Sequence, residues 1–281
     1  MLTARDARRD TGRRRAEPSD RQRYDEYVMT RIEQFKDSMG RHELMQMASE
    51  AVAGMDDGPN DQFVLTEIVM TEQVDTLIKK RLRLPRFKTW QRTFPKRRAA
   101  QQEPTHWGLD RACPLVSLLG RVEPGDRALV IGKGAESCAY LLSAHDADVR
   151  FWSRDLGVLE RVEQKVADEG LSYRFLAVMV GLDGCIYSDG APYDIIVLDT
   201  GALAEIDVRD HPMAIGRLQE LTAEGGVHVL LTSRTLVPEA VYSFYGGWER
   251  ESPAGGRRAP KLHGTVLVKP YAEEVQQAER A

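Results

Sequence analysis

The stretch Arg127-Ala128-Leu129-Val130-Ile131-Gly132-Lys133-Gly134-Ala135-Glu136-Ser137 decides the fold of this chain. An apolar run stops at a glycine pair, and the residues that follow, to Ala144, are patterned as a helix. Strand, glycine turn, helix is the unit with which an α/β sheet offers backbone N–H groups and a helix N-terminus to a nucleotide-like ligand. Such sites usually carry an acidic group at the end of the next strand to hold a ribose. Here that position reads Trp152-Ser153-Arg154-Asp155. Glycine can also serve a tight turn for backbone reasons alone, Glu136 can simply favour the start of its helix, and Asp155 can cap the helix that starts at Leu156.

Outward from this turn, strands and helices alternate. Residues 128–131 read as the first strand and 148–152 as the second, reached through a helix containing Tyr140, Leu141 and Leu142. Leu156, Leu159, Val162 and Val166 mark the next helix, ending near Gly170, and 173–180 is a third strand. The unbroken apolar run 193–198 is a fourth, of the sort found where both faces of a parallel strand are covered. A helix over 210–222 is expected to stop at Gly225-Gly226, ahead of a fifth strand at 227–231. After a short helix near 237–245, strands at 248–251 and 264–269 are joined by a loop with no room for a helix, so they form a hairpin. The pattern predicts an α/β fold: a doubly wound, seven-stranded, mostly parallel sheet with an antiparallel last strand, after an α-helical N-terminal extension.

The expected divisions are a disordered basic tail at 1–23, a helical region at 24–104, the sheet domain at 105–270 and a C-terminal tail at 271–281. In the helical region Tyr27, Val28, Ile32, Phe35, Met39, Leu44, Met45, Met47 and Val52 recur at helical spacing, with a break expected at Gly40. Asp57-Gly58-Pro59-Asn60 reads as a turn, and a second helical stretch precedes Pro85.

A chain of 281 residues, 42% apolar and 29% charged, describes a globular protein large enough for one domain plus an extension. No apolar stretch approaches the roughly 20 residues that span a bilayer, and the Arg-rich start lacks the apolar core of a secretory signal. The expectation is a cytoplasmic protein that does not engage membranes. Cys113, Cys138 and Cys185 are odd in number and far apart in sequence, which fits reduced thiols, and the six histidines lack ligand spacing. No metal is expected.

The net charge of −4 conceals a segment, 79–98, with ten Lys and Arg and no acid, leaving −14 for the rest. Phe87, Trp90 and Phe94 lie among these cations. Such a mixture can hold a phosphate backbone and stack bases. Alternatively, its cations pair with the acidic remainder and its aromatics pack onto the sheet domain. The N-terminal helices can form a cap over the sheet edge or the surface of a homo-oligomer.

The strand order resembles that of the class I S-adenosylmethionine (SAM)-dependent methyltransferases, over about residues 105–270. Leu129-Val130-Ile131-Gly132-Lys133-Gly134, Tyr193-Asp194-Ile195-Ile196-Val197-Leu198-Asp199 and Ala223-Glu224-Gly225-Gly226-Val227 stand where that family has its glycine loop, its fourth strand and the entrance to its fifth. The resemblance implies SAM as cofactor, with Gly132, Lys133, Gly134 and Ala135 meeting it through backbone, Ser153 and Asp155 near its ribose, and Asp199 beside it. Thr200 would face the substrate, an acceptor the sequence does not name. The chain departs from the family at Val130, where an acid is common, and at Glu136, where a third glycine is usual. Ser153 replaces the ribose carboxylate, no acid stands near Val178-Met179-Val180 for the adenine, and Asp199-Thr200 does not continue into an Asn/Asp-Pro-Pro-Tyr motif. The competing reading is a non-catalytic scaffold of the same fold that binds protein or nucleic acid through segment 79–98. A nicotinamide enzyme, suggested by Gly132-x-Gly134-x-x-Ser137 with Arg154-Asp155, is disfavoured by the closing hairpin.

Overall fold

The protein, a computed structural model, is described over residues 19–53, 63–183, 191–233, 235–251 and 264–271. It divides into a helical unit, Ala16–Pro95, and an α/β unit whose described part begins at Lys96. The helical unit contains α1 (Asp20–Asp37), α2 (Arg41–Ala53), α3 (Phe63–Arg81) and the first part of α4 (Phe87–Gln102). A capping box starts α1: Ser19 Oγ accepts the Gln22 N–H, and the Gln22 side chain accepts the Ser19 N–H. Helix therefore begins inside the segment expected to be a disordered tail. Gly40 separates α1 from α2 as its position suggests, whereas the turn expected at 57–60 lies outside the described residues.

Val28, Ile32, Met47 and Ile78 form the centre of this unit, with Leu82 and Leu84 packed against them. Trp90 is buried. Its ring stacks on Phe94 at 4.4 Å and meets Tyr24 edge-on at 5.6 Å. Trp90 thus packs with Tyr24 and Phe94 inside the helical unit.

The α/β unit has seven strands: β1 (Arg127–Ile131), β2 (Asp148–Ser153), β3 (Phe175–Met179), β4 (Tyr193–Asp199), β5 (Thr222–Leu231), β6 (Glu249–Glu251) and β7 (Gly264–Val268). They form one sheet in the order β3-β2-β1-β4-β5-β7-β6. β1 to β5 pair in parallel, and β7 runs antiparallel to both β5 and β6. The hairpin inferred from the missing helix is present. Helices α5 (Pro114–Leu118), α6 (Glu136–Ala144), α7 (Leu156–Glu169), α8 (Thr200–Leu203) and α9 (His211–Glu220) complete the unit.

Strand pleating sorts the core into two faces. Val130, Val197 and Val229 belong to one apolar cluster, and their neighbours Leu129, Ile196 and Leu230 to the other. With both faces covered, only the strand ends remain to receive a ligand. Gly170, at φ 69°, ends α7 as expected.

At β5 the structure corrects the reading. The preceding helix ends without glycine, and β5 begins at Thr222, five residues early. Tyr193 pairs with Thr222 and Ile195 with Val227, so the extra residues bulge. Gly225 has φ 67° there, and a Cβ on Gly226 would stand 2.8 Å from the Ala223 carbonyl oxygen. These glycines serve a bulge, not a helix stop. Within β5, fully buried His228 is held between Thr222 Oγ1 (2.7 Å from Nε2) and the Tyr245 hydroxyl (2.9 Å from Nδ1).

Candidate functional site

Gly132 ends β1 with φ 94° and ψ 154°, a region open essentially to glycine alone. Its neighbours require glycine as well: a Cβ there would lie 2.9 Å from Asp199 Cβ and 3.2 Å from Ala202 Cβ. Two residues on, the Gly134 N–H donates to Asp199 Oδ2 at 2.9 Å, and a Cβ at Gly134 would stand 2.6 Å from that oxygen. Asp199 Oδ1 accepts the Gly201 N–H, also at 2.9 Å, and so caps α8. One carboxylate, only 7% exposed, therefore binds a backbone amide on each side.

Register explains how Asp199 arrives. Ile131 pairs with Leu198, which puts Asp199 alongside Gly132. Val130, where the resemblance leads one to expect an acid, is completely buried in the core. The carboxylate that meets the turn comes from the neighbouring strand.

At the end of β2, Ser153 is 7% exposed, and its Oγ accepts the Asp155 N–H at 3.1 Å. Asp155 is exposed and uses Oδ1 to accept the Val158 N–H at 3.2 Å, capping α7. This is the helix-capping role open to it from sequence. Arg154 Nη1 lies 3.4 Å from Asp183 Oδ2 and donates to the Glu205 carbonyl at 3.4 Å. Asp183 thus adds a carboxylate just beyond β3 that the reading around 178–180 missed. Its signal was Gly181-Leu182-Asp183 directly after the strand.

Lys133 and Gly134 are exposed while Gly132 and Ala135 are buried. Glu136, where a third glycine would be usual, accepts from Arg161 Nη2 at 2.7 Å. Thr200 is fully buried. Its hydroxyl bonds the carbonyls of Leu231 and Leu236 and accepts the Ser233 N–H at 3.1 Å, tying the end of β4 to the chain after β5.

Cys113 and Cys138, distant in sequence, are buried together in the structure. A hydrogen bond from Cys138 holds the Cys113 thiol below its ordinary range against the opposing effect of burial, while the same bond and burial push Cys138 up. Cys185 lies outside the described residues. Among the described residues no group of three or more His, Cys, Asp or Glu is placed to hold a metal ion, and no helix is long and apolar enough to cross a membrane.

The sequence matches no family model, and a comparison with curated proteins gives no match. Among solved structures, it is similar to the N-methyltransferase NodS from Bradyrhizobium japonicum WM9, with 15% identity and a TM-score of 0.46 over 57% of this chain and 95% of that one. It is also similar to an rRNA methylase from Streptococcus thermophilus, with 15% identity and a TM-score of 0.42 over 56% and 97% of the two chains. A TehB-like SAM-dependent methyltransferase from Corynebacterium glutamicum is similar at 16% identity and a TM-score of 0.43, over 65% and 97%. The sheet itself carries the assignment of fold. With its order β3-β2-β1-β4-β5-β7-β6 and a reversed β7, the chain has the Rossmann-like fold of the class I methyltransferases.

Proposed function

We propose that the α/β unit is a SAM-dependent methyltransferase that holds its cofactor at the turn 132–135. The observation behind this reading is the Asp199 carboxylate, nearly buried at the C-terminal ends of β1 and β4 and turned onto Gly134. Ligands of open α/β sheets bind at this edge.

The residues present fit the cofactor's chemistry. SAM is positively charged at its sulfonium and ammonium groups, and carboxylates stand at the end of β4 (Asp199) and after β2 (Asp155) and β3 (Asp183). In this reading the Ser153 hydroxyl and the Asp155 carboxylate, at and just after the end of β2, are the polar groups offered to a ribose diol, although Ser153 cannot supply the charge of the acid usual there. When bound, SAM would supply an activated methyl group that a nucleophile takes in line, with S-adenosylhomocysteine as the leaving group. What the protein must add is position and alignment, so no proton-transfer triad is required. Asp199 holds the turn and the start of α8 in one geometry, and Arg154, bridged between Asp183 and the Glu205 carbonyl, lies at the rim.

One observation favours a second reading, the non-catalytic scaffold. The Gly134 N–H is already given to Asp199, so this amide does not offer itself to a ligand. Calorimetric titration with SAM and S-adenosylhomocysteine, with NADH as control, separates the two. Micromolar binding of the first two supports the methyltransferase. Absence of heat at millimolar ligand leaves the scaffold.

A further inference from the structure

Lys79, Lys80, Arg81, Arg83, Arg86, Lys88 and Arg92 fall within the last turn of α3, the connection to α4 and the first turns of α4, and all are exposed. No Asp or Glu occurs anywhere between Asp75 and Glu103. Arg81 faces Glu50 at 3.4 Å across a half-exposed pair. The other six form no salt bridge among the described residues, in contrast to Arg97 and Arg98, which pair with Glu169 and Asp146. Six exposed cations thus lie within residues 79–92 with no salt bridge among the described residues, a concentration of like charge that an anionic partner relieves.

The other side of the same segment narrows the choice of partner. Leu82, Leu84 and Trp90 turn inward to the core of the helical unit, and Phe87 stacks towards Trp90 and Tyr24. The outer face therefore has no apolar group to enter a bilayer. Protein interfaces favour Arg, which supplies three of the six cations, but they are depleted in Lys, which supplies the other three, and are anchored by buried aromatics, which this face does not offer. With Trp90 buried, the base-stacking contact suggested by its place among the cations is unavailable as well.

We propose that this face binds the phosphodiester backbone of a nucleic acid without reading its bases. The contact is electrostatic, made by Lys79, Lys80, Arg83, Arg86, Lys88 and Arg92, and is independent of whether the α/β unit binds SAM.

The test is fluorescence anisotropy of the full chain with labelled RNA single strands and duplexes of about 20 nucleotides, at several salt concentrations. If four of the six cations neutralise phosphates, affinity for the single strand falls about 50-fold between about 50 and 200 mM salt. Replacing all six by Gln should weaken binding well over tenfold and flatten the salt dependence, with the thermal unfolding curve unchanged. The double variant Lys88→Glu/Arg92→Glu should weaken it too, which guards against misfolding of the larger variant. The proposal is overturned by undiminished binding in folded variants, by no binding at the lowest salt, or by strong preference for one base sequence. Tighter binding to phosphatidylserine vesicles than to RNA at equal salt overturns it in favour of a membrane surface. Calorimetry with SAM on the six-Gln variant reads the α/β unit separately, so the two proposals fail independently.

Discussion

Asp199 reaches from the end of β4 to the amide of Gly134, leaving no room for a methyl group on that glycine. The same carboxylate accepts the Gly201 N–H. Asp199→Asn keeps the shape but offers one oxygen and one NH2, so one of the two amides faces a donor. Losing one hydrogen bond to a charged acceptor costs about 1.5–3 kcal/mol, which lowers the melting temperature by several degrees in a unit of this size. Differential scanning calorimetry reads this directly, and an unchanged melting temperature would show that Asp199 is not bonded as described.

Gly132→Ala is expected to cost more. The new methyl group would sit 2.9 Å from Asp199 Cβ, at a φ of 94° that side chains avoid. Strain of roughly 1–3 kcal/mol from the backbone alone adds to the displacement of Asp199 or Ala202. Urea unfolding should show a loss of at least about 2 kcal/mol relative to the same change at Gly40, where nothing lies within 4 Å of the added atom.

Two substitutions address the cofactor. Ser153→Asp puts a charged acceptor at the end of β2, and a hydrogen bond to such a group is worth about 1.5–3 kcal/mol, or roughly tenfold or more in affinity for SAM. Gly134→Arg fills the turn and should abolish binding in a folded protein. Equal affinities for both variants and the parent would place the ligand away from this turn.

His228 predicts a pH dependence. Burial, reinforced by the Lys269 charge, pulls it down from 6.5 to about 3. The Thr222 hydroxyl donates to the Leu218 carbonyl at 2.6 Å, so it accepts from His228 Nε2, and Nδ1 accepts from Tyr245. The neutral ring satisfies both partners, whereas a second proton would reverse the Tyr245 bond and leave a charge fully buried. Because the unfolded chain binds that proton first, this contribution is complete above pH 6.5 and is lost as pH falls towards 3. The slope approaches about 1.4 kcal/mol per pH unit within that window. Comparing unfolding free energies of the parent and His228→Gln at pH 7 and pH 5 checks it: the variant should be less stable at pH 7, and the gap should narrow at pH 5.

Much of the sheet was legible because its strands are covered on both faces, so residues such as 193–198 read as unbroken apolar runs. The hairpin was legible from what the sequence could not fit between two strands. Less visible were features that depend on single atoms. Gly225-Gly226 looks the same in sequence whether it ends a helix or, as here, relieves a bulge against the Ala223 carbonyl. Asp155 was open to two roles until one oxygen was found on the Val158 amide. Asp183 escaped notice because its Arg154 partner lies on another strand's exit. Trp90, amid cations, suggested a surface ring, but Tyr24 and Phe94 enclose it from positions distant or local in sequence.

That the turn's carboxylate is supplied across the sheet, from β4 rather than from β1, ties these two strands together beyond their backbone ladder. A slip of β4 against β1 by one residue would carry Asp199 away from the Gly134 amide and bring in a side chain that belongs to the opposite face. The shape of the turn at 132–135 therefore depends on how β1 and β4 pair, and a substitution that disturbs the pairing alters the turn without touching any of its residues.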